Sequence, residues 1–269
     1  MPEISKTSRP AARRVFITGA SSGIGAALAR HYAAEGALLG LVGRHRERLE
    51  ALAASLDTDC VTYLADVRDA SAMHVAGQDF IARYGVPDIV IANAGVSRGT
   101  LTAHVEDLPA FRAIFDINVM GMVHTFQPFL EGMCARGHGT LAGIASVAGL
   151  RGLPGASAYS ASKAAAINYL ESLRIELLDS GLKVCSLCPG YIRTPMTDVN
   201  THPMPFMLEA DDAARKMARA IDRGRRYMIL PWQMALIGRL MKWLPAPLWD
   251  RLMRSAPHKP RLNWDWLEP

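Results

Sequence analysis

The sequence predicts an α/β fold: one doubly wound parallel sheet of about seven strands, helices on both faces, and a helical C-terminal extension. Three observations carry the prediction. Short apolar runs recur through the first 190 residues, helix-length segments separate them, and a glycine cluster joins the first run to the first helix. The runs are continuously apolar rather than alternating, as parallel strands buried on both faces require. Repeated strand–helix alternation then selects a single wound sheet.

In chain order, Val15–Thr18, Ala37–Val42, Val61–Ala65, Ile89–Ala92, Thr140–Ala145 and Lys183–Cys188 are the strand candidates. Ile24–Glu35, Arg46–Ser55, Ser71–Tyr84, Leu108–Ala135 and Ser157–Asp179 are the helix-patterned segments between and after them. Arg226–Leu230, stopped by Pro231, is a candidate last strand. The chain has 269 residues, enough for two average domains, but no repeat, low-complexity block or linker divides it. Residues 1–12 read as a flexible arm, 13–231 as one catalytic domain and 232–269 as an extension.

Half the residues are apolar and a fifth are charged, which excludes a disordered, collagenous or disulfide-stapled chain. The start lacks an apolar leader, and no uncharged apolar stretch reaches the ~18 residues of a membrane span. A reducing cytoplasm is therefore expected. Cys185 and Cys188 have CxxC spacing, but they lie within a strand, where residues three apart face opposite ways. Buried, inert thiols are expected rather than a metal or redox pair. The eight histidines, among them His104, His124 and His138, form no ligand-spaced cluster, so no metal is expected.

Charge and tryptophan are unevenly distributed. Residues 1–212 carry net −3, whereas residues 213–269 carry net +8. All five tryptophans, Trp232, Trp243, Trp249, Trp264 and Trp266, lie in the last 38 residues.

The first strand runs into Thr18-Gly19-Ala20-Ser21-Ser22-Gly23-Ile24-Gly25 and then a helix. Glycines at such a junction let a pyrophosphate approach the backbone, where the helix N-terminus offers N–H donors and a positive dipole. Tyr159 and Lys163 are four residues apart on one helix face. An ammonium near a phenol stabilises the phenolate, bringing an ordinary pKa of ~10 toward the working range of an acid–base catalyst.

Together these motifs, TGxxxGxG and YxxxK, resemble the short-chain dehydrogenase/reductase family over roughly residues 13–195. The resemblance implies a Rossmann-type domain that moves a hydride between a nicotinamide and a carbonyl or alcohol carbon. It implies roles for further residues. Asp66 and Val67 would meet the adenine, and Asn93-Ala94-Gly95 matches a motif after the fourth strand, with Ala92 where a second Asn is common. Ser146 would hold the carbonyl oxygen, Tyr159 would donate the proton, and Lys163 would bind the nicotinamide ribose and tune Tyr159. Asn118 would carry a water-linked proton path. Pro189-Gly190 matches the PG motif, and Ile192 and Thr194 would meet the nicotinamide carboxamide. The family is usually dimeric or tetrameric, so a homodimer or homotetramer is expected.

The end of the second strand, Leu41-Val42-Gly43-Arg44, lacks the acid that an NAD enzyme places against the ribose 2′-hydroxyl. Arg44 stands there instead, and a guanidinium can hold a 2′-phosphate, so NADP(H) is favoured over NAD(H). The same resemblance implies that the segment 195–208, after the PG motif, would close over the substrate. Its methionines, prolines and Phe206, with Leu150, Leu153 and Pro154, favour a hydrophobic carbonyl or alcohol over a sugar or an anionic acid. In the extension, Arg239 and Lys242 fall three apart on one side of a Trp-bearing, largely apolar helix. Peripheral membrane contact through residues 232–254, subunit assembly and packing against the cleft all remain open for it. Nucleic acid is not expected, because the cations are interspersed with large aliphatics. Two rivals stand beside the general reading: a membrane-surface reductase of long-chain keto lipids, and a catalytically silent dinucleotide sensor. The sensor has no need of Asn118, Ser146, Tyr159 and Lys163 together.

Overall fold

The computed structural model describes residues 12–200, 203–256 and 258–261. Within them seven strands, β1 Arg14–Thr18, β2 Leu38–Gly43, β3 Cys60–Leu64, β4 Ile89–Ala92, β5 Gly139–Ile144, β6 Leu182–Pro189 and β7 Tyr227–Leu230, form one sheet. Every pairing is parallel and the strand order is β3-β2-β1-β4-β5-β6-β7. Winding reverses between β1 and β4, and there the loops at the carboxyl ends of the strands diverge and open a crevice.

Alternation along each strand feeds two cores. Val15, Ile17, Ile89 and Ile91 face one side, against Leu28 and Tyr32 of α1 (Gly23–Ala34), Leu49 and Leu52 of α2 (Arg46–Ala54), and a third helix described below. Phe16, Val90 and Ala92 face the other side, packing with Phe80 of α3 (Ala70–Tyr84) and with later helices. Phe16, Phe80 and Phe129 meet edge-on, with ring centroids 4.8–6.2 Å apart.

The segment expected as one helix over 108–135 is interrupted. It forms α4 (Leu108–Phe115), a π-helical stretch Asp116–Met120 and α5 (Gly121–Arg136). The interruption falls where Asn118 turns its side chain to the backbone of Val96, a tertiary demand that periodicity does not encode. The chain continues through α6 (Ser157–Glu176) and the single turn α7 (Pro195–Asp198). Next comes α8 (Ala210–Asp222), a helix absent from the elements expected from the sequence although its apolar residues recur at helical spacing. Its buried face is mostly alanine (Ala213, Ala214, Ala218 and Ala220, with Met217 and Ile221), and it packs closely on α1. Cys185 and Cys188 lie buried in β6, and burial pushes both thiols above their ordinary pKa.

The extension folds as α9 (Trp232–Trp243) and α10 (Ala246–Met253). α9 lies against the carboxyl edge of the sheet: Met234 covers Gly190 and Gly238 sits on Leu150. Arg151 donates to the carbonyls of Met241 and Leu244 at 2.7 and 2.6 Å and stacks over the Trp249 ring, whose indole N–H reaches the Gly152 carbonyl. One side of α9 thus packs on the domain, while Trp232, Leu236, Leu240 and Trp243 stay exposed. Trp264 and Trp266, the arm residues 1–11, and Thr201 and His202 lie outside the described residues. Among the described residues no helix is long and apolar enough to cross a membrane.

Candidate functional site

β1 ends at Thr18, and the loop that follows is tied to the end of β4. Asn93 Nδ2 donates to the carbonyls of Thr18 and Gly19 at 3.0 and 3.1 Å, and Thr18 Oγ1 accepts from the N–H groups of Asn93 and Ala94. The turn is so tight that a Cβ on Gly25 would stand 2.2 Å from the Gly19 carbonyl oxygen. Only glycine satisfies that approach. Beyond it α1 begins with no side chain capping its first N–H groups and no acid in its first turn. Those donors and the positive end of the helix dipole face the cleft without a partner of their own, which suits a phosphate.

The cleft is lined from end to end by residues expected from the sequence: Gly19, Ser21, Ser22, Gly23, Ile24, Arg44, Asp66, Val67, Asn93, Ala94, Gly95, Ser146, Tyr159, Lys163, Pro189, Gly190, Ile192 and Thr194. Gly25 and Asn118 stand behind its wall and shape it. At the far end, Arg44 at the tip of β2 reaches Asp66 at 3.3 Å. Arg68 also holds Asp66 through its backbone N–H and guanidinium, a clamp that sequence reading missed. Burial would raise the Asp66 carboxyl, but the hydrogen bonds and charge of Arg68 outweigh it and hold the pKa below the ordinary value.

At the near end β5 delivers Ser146, and α6 delivers Tyr159 and Lys163 one turn apart. Ser146 Oγ accepts from the Ala148 N–H at 3.1 Å, fixing the hydroxyl at the strand tip. Burial raises the Tyr159 phenol above its ordinary pKa, and a hydrogen bond with Ser146 opposes that shift. Lys163 Nζ donates to the Ile144 carbonyl at 2.8 Å and lies 6.0 Å from the Tyr159 ring centroid. The lysine is thus beside the phenol but anchored to the sheet. Burial pulls its ammonium from 10.5 down to about 8.

Asn118 is fully buried. Its Oδ1 accepts from the Val96 N–H at 2.8 Å, and its Nδ2 donates to the Val96 carbonyl and to Ser162 Oγ, both at 3.0 Å. Gly95 lies between Asn118 and Lys163: a Cβ there would meet Asn118 Oδ1 at 3.2 Å and Lys163 Nζ at 3.3 Å. The segment 195–208 leaves the cleft through a closed neck. Ile192 pairs with Leu208, Arg193 N–H donates to the Leu208 carbonyl, and Leu208 N–H returns to Tyr191. Pro195, Met196 and Thr197 line the cleft from this excursion. Sequence reading also missed Lys259, whose Nζ lies 5.5 Å from the Tyr159 ring centroid. No local pattern could reveal it, because it stands 100 residues from Tyr159.

Comparison with known proteins agrees with this geometry. Residues 13–204 match the profile described as short chain dehydrogenase. The chain is 39% identical over 247 residues to an uncharacterized oxidoreductase of Myxococcus xanthus (strain DK1622), covering 90% of this chain and 96% of that protein. It is 35% identical over 190 residues to 2-dehydro-3-deoxy-L-rhamnonate dehydrogenase (NAD(+)) of Sphingomonas sp. (strain SKA58), covering 71% of this chain and 76% of the other. Among solved structures, a variant of actinorhodin polyketide ketoreductase with NADPH superposes with a TM-score of 0.72 at 26% identity, covering 81% of this chain and 95% of that one.

The lowered pKa of Lys163 has a measurable signature. Between pH ~8 and ~10 the unfolded chain holds a proton on this lysine that the folded chain has shed, so its contribution to stability rises with pH across that window. Below pH 8 the buried ammonium exerts its full cost. A Lys163→Met variant lacks this titration. The melting temperature of the cofactor-free parent should therefore gain on that of the variant between pH ~7 and ~9.5. A difference that stays constant across the range would refute the shift.

Proposed function

The chain belongs to the short-chain dehydrogenase family and is an oxidoreductase of CH–OH and C=O groups, and from that premise we propose NADP(H) as its cofactor, a carbonyl or secondary alcohol with an apolar body as its substrate, and Tyr159 as its general acid/base. The observation that carries this reading is the convergence of Ser146, Tyr159 and Lys163 at one end of a cleft whose other end is the glycine loop.

The uncapped start of α1 and the backbone of Gly19–Gly25 suit a pyrophosphate, and Arg44 suits a ribose 2′-phosphate. Asp66 and Val67 would flank the adenine. Asn93, Ala94, Gly95, Pro189, Gly190, Ile192 and Thr194 would position the nicotinamide end, which supplies the hydride when bound. In the reductive direction, Ser146 Oγ and the Tyr159 hydroxyl receive the substrate's carbonyl oxygen. Tyr159 donates its proton to that oxygen as negative charge develops on it. The Lys163 ammonium then stabilises the remaining phenolate and holds the ribose. Asn118, across Gly95 from Lys163, anchors the water-linked path that returns a proton to Tyr159. Pro195, Met196 and Thr197 close over an apolar substrate body.

A second reading concerns location and rests on α9. Trp232, Leu236, Leu240 and Trp243 recur at helical spacing and stay exposed, Trp243 at 85%, with Leu248 and Leu252 of α10 beside them. Arg239 and Lys242 lie on the same helix. Such a face suits the interface of an anionic membrane, where the enzyme would meet long-chain keto lipids.

Tyr159→Phe should lower turnover of a ketone with NADPH by about 10²–10⁴-fold while leaving cofactor affinity unchanged. Retained turnover would remove Tyr159 from the role. In fluorescence titrations the parent should bind NADPH about 10- to 100-fold more tightly than NADH, and Arg44→Ala should erase that margin. Equal affinities in the parent would refute the NADP(H) preference. For the second reading, the parent should co-sediment with vesicles containing phosphatidylserine, and a Trp232→Ser, Trp243→Ser double variant should not. A parent that stays in the supernatant would return this face to assembly.

A further inference from the structure

Residues 258–261 lie across the loops beside Tyr159. Residues His258–Arg261 pass over Gly99 and Gly155 so closely that side chains there are excluded. A Cβ on Gly99 would stand 2.2 Å from the Lys259 carbonyl oxygen, and one on Gly155 would stand 2.8 Å from His258 Cβ. The strap is bonded as well as packed. Gly99 N–H donates to the Pro260 carbonyl at 3.2 Å. Arg261 grips the fully buried Asp107 with Nη2 at 2.8 Å and Nε at 3.0 Å, and reaches Glu106 at 3.2 Å. Asp107 in turn accepts from the Leu101 N–H, so the anchor is built into the loop beyond β4.

This arrangement carries Lys259 to the reacting centre. Its Nζ donates to Ser97 Oγ at 2.7 Å and lies 5.5 Å from the Tyr159 ring centroid. Among the described residues no carboxylate pairs with it, because the nearby acids Glu106 and Asp107 are taken by Arg261. The other charged groups close by, Lys163 and Arg98, are cationic, and burial together with Arg98 lowers the Lys259 ammonium to about 8. A half-buried ammonium with no counter-ion among the described residues is costly unless something anionic meets it. With Tyr159 as the proposed general acid/base, the group that would come to this place is the substrate.

We propose that Lys259, held by the Arg261–Asp107 anchor, is the specificity determinant that receives a carboxylate carried by the carbonyl substrate. A carbonyl oxygen at Tyr159 and an ammonium beside the same ring fit a keto acid with the two groups a few bonds apart. Pro195 and Met196, which line the cleft, would meet the rest of its chain. The expectation that an anionic acid is disfavoured came from the lid composition alone, and the strap reverses it for one end of the substrate. This inference rests on the oxidoreductase reading of the same site.

The test uses the full chain with NADPH, and acetoacetate and longer straight-chain β-keto acids, each beside its methyl ester. Turnover and ligand-induced rise in melting temperature are both read. The parent should prefer acid to ester by at least about 30-fold in kcat/KM, and Lys259→Met and Lys259→Gln should each collapse that ratio toward unity. Because each ratio is taken within one protein, a general loss of folded enzyme does not mimic the effect. Turnover of acids and esters alike by the parent, or a preference that survives both substitutions, would overturn the proposal and leave the oxidoreductase reading intact. Absence of turnover and of thermal shift with every acid and every ester would overturn both.

Discussion

The architecture turns on one backbone contact: the carbonyl of Gly19 against the α-carbon of Gly25, with the Asn93 amide laced into the same turn. A parallel sheet must be covered on both faces, so each strand hands the chain to a helix on one side or the other. At the reversal between β1 and β4 the two windings part, and the loops there would separate without a fastening. Asn93 fastens them through main-chain oxygens, which makes the cleft a fixed gap rather than a hinge. The free N–H groups of α1 are then aimed into a space of set width, where they need no rearrangement to meet an anion.

The polar end of the cleft is organised by the same economy. Ser146, Tyr159 and Lys163 come from a strand tip and a helix, elements rigid enough to hold a reacting geometry. Asn118 sits one layer back, and the π-helical stretch around it is what lets a helix residue reach the Val96 backbone and Ser162 at once. Distortion in the helix thus ties the loop after β4 to α6. The cations Lys163 and Lys259 reach Tyr159 by different routes, Lys163 from the same helix while tethered to the Ile144 carbonyl at the end of β5, and Lys259 through the strap 258–261.

Much of this was legible in the sequence. Buried parallel strands announce themselves as continuous apolar runs, and the glycine spacing and the Tyr159–Lys163 interval are local signals bound to local geometry. The failures have physical causes. Helix α8 was overlooked although Ala213, Ala214, Met217, Ala218 and Ile221 recur at helical spacing among charged residues; a stripe built mostly of alanine is easily passed over, yet a close helix pair demands small residues. The break at Asp116–Met120 answers a contact with Val96, more than twenty residues away. Arg68 and Lys259 act through tertiary bonds that no spacing rule expresses. The uneven charge along the chain did point to the tail, and the structure gives part of that tail a place: α9 on Gly190 and Leu150, and Lys259 at the reacting centre.

The neck formed by Ile192 and Leu208 has a bearing on how such a protein can diversify. Both ends of the excursion are pinned to each other before the chain enters α8, so the neck fixes where the stretch leaves and rejoins the domain. Its first residues are not free to vary, since Thr194 packs on Gly23 and Thr197 donates to the Ile192 carbonyl at 2.7 Å. Diversification of the substrate side that spares the glycine turn and the neck is therefore confined to positions beyond Thr197.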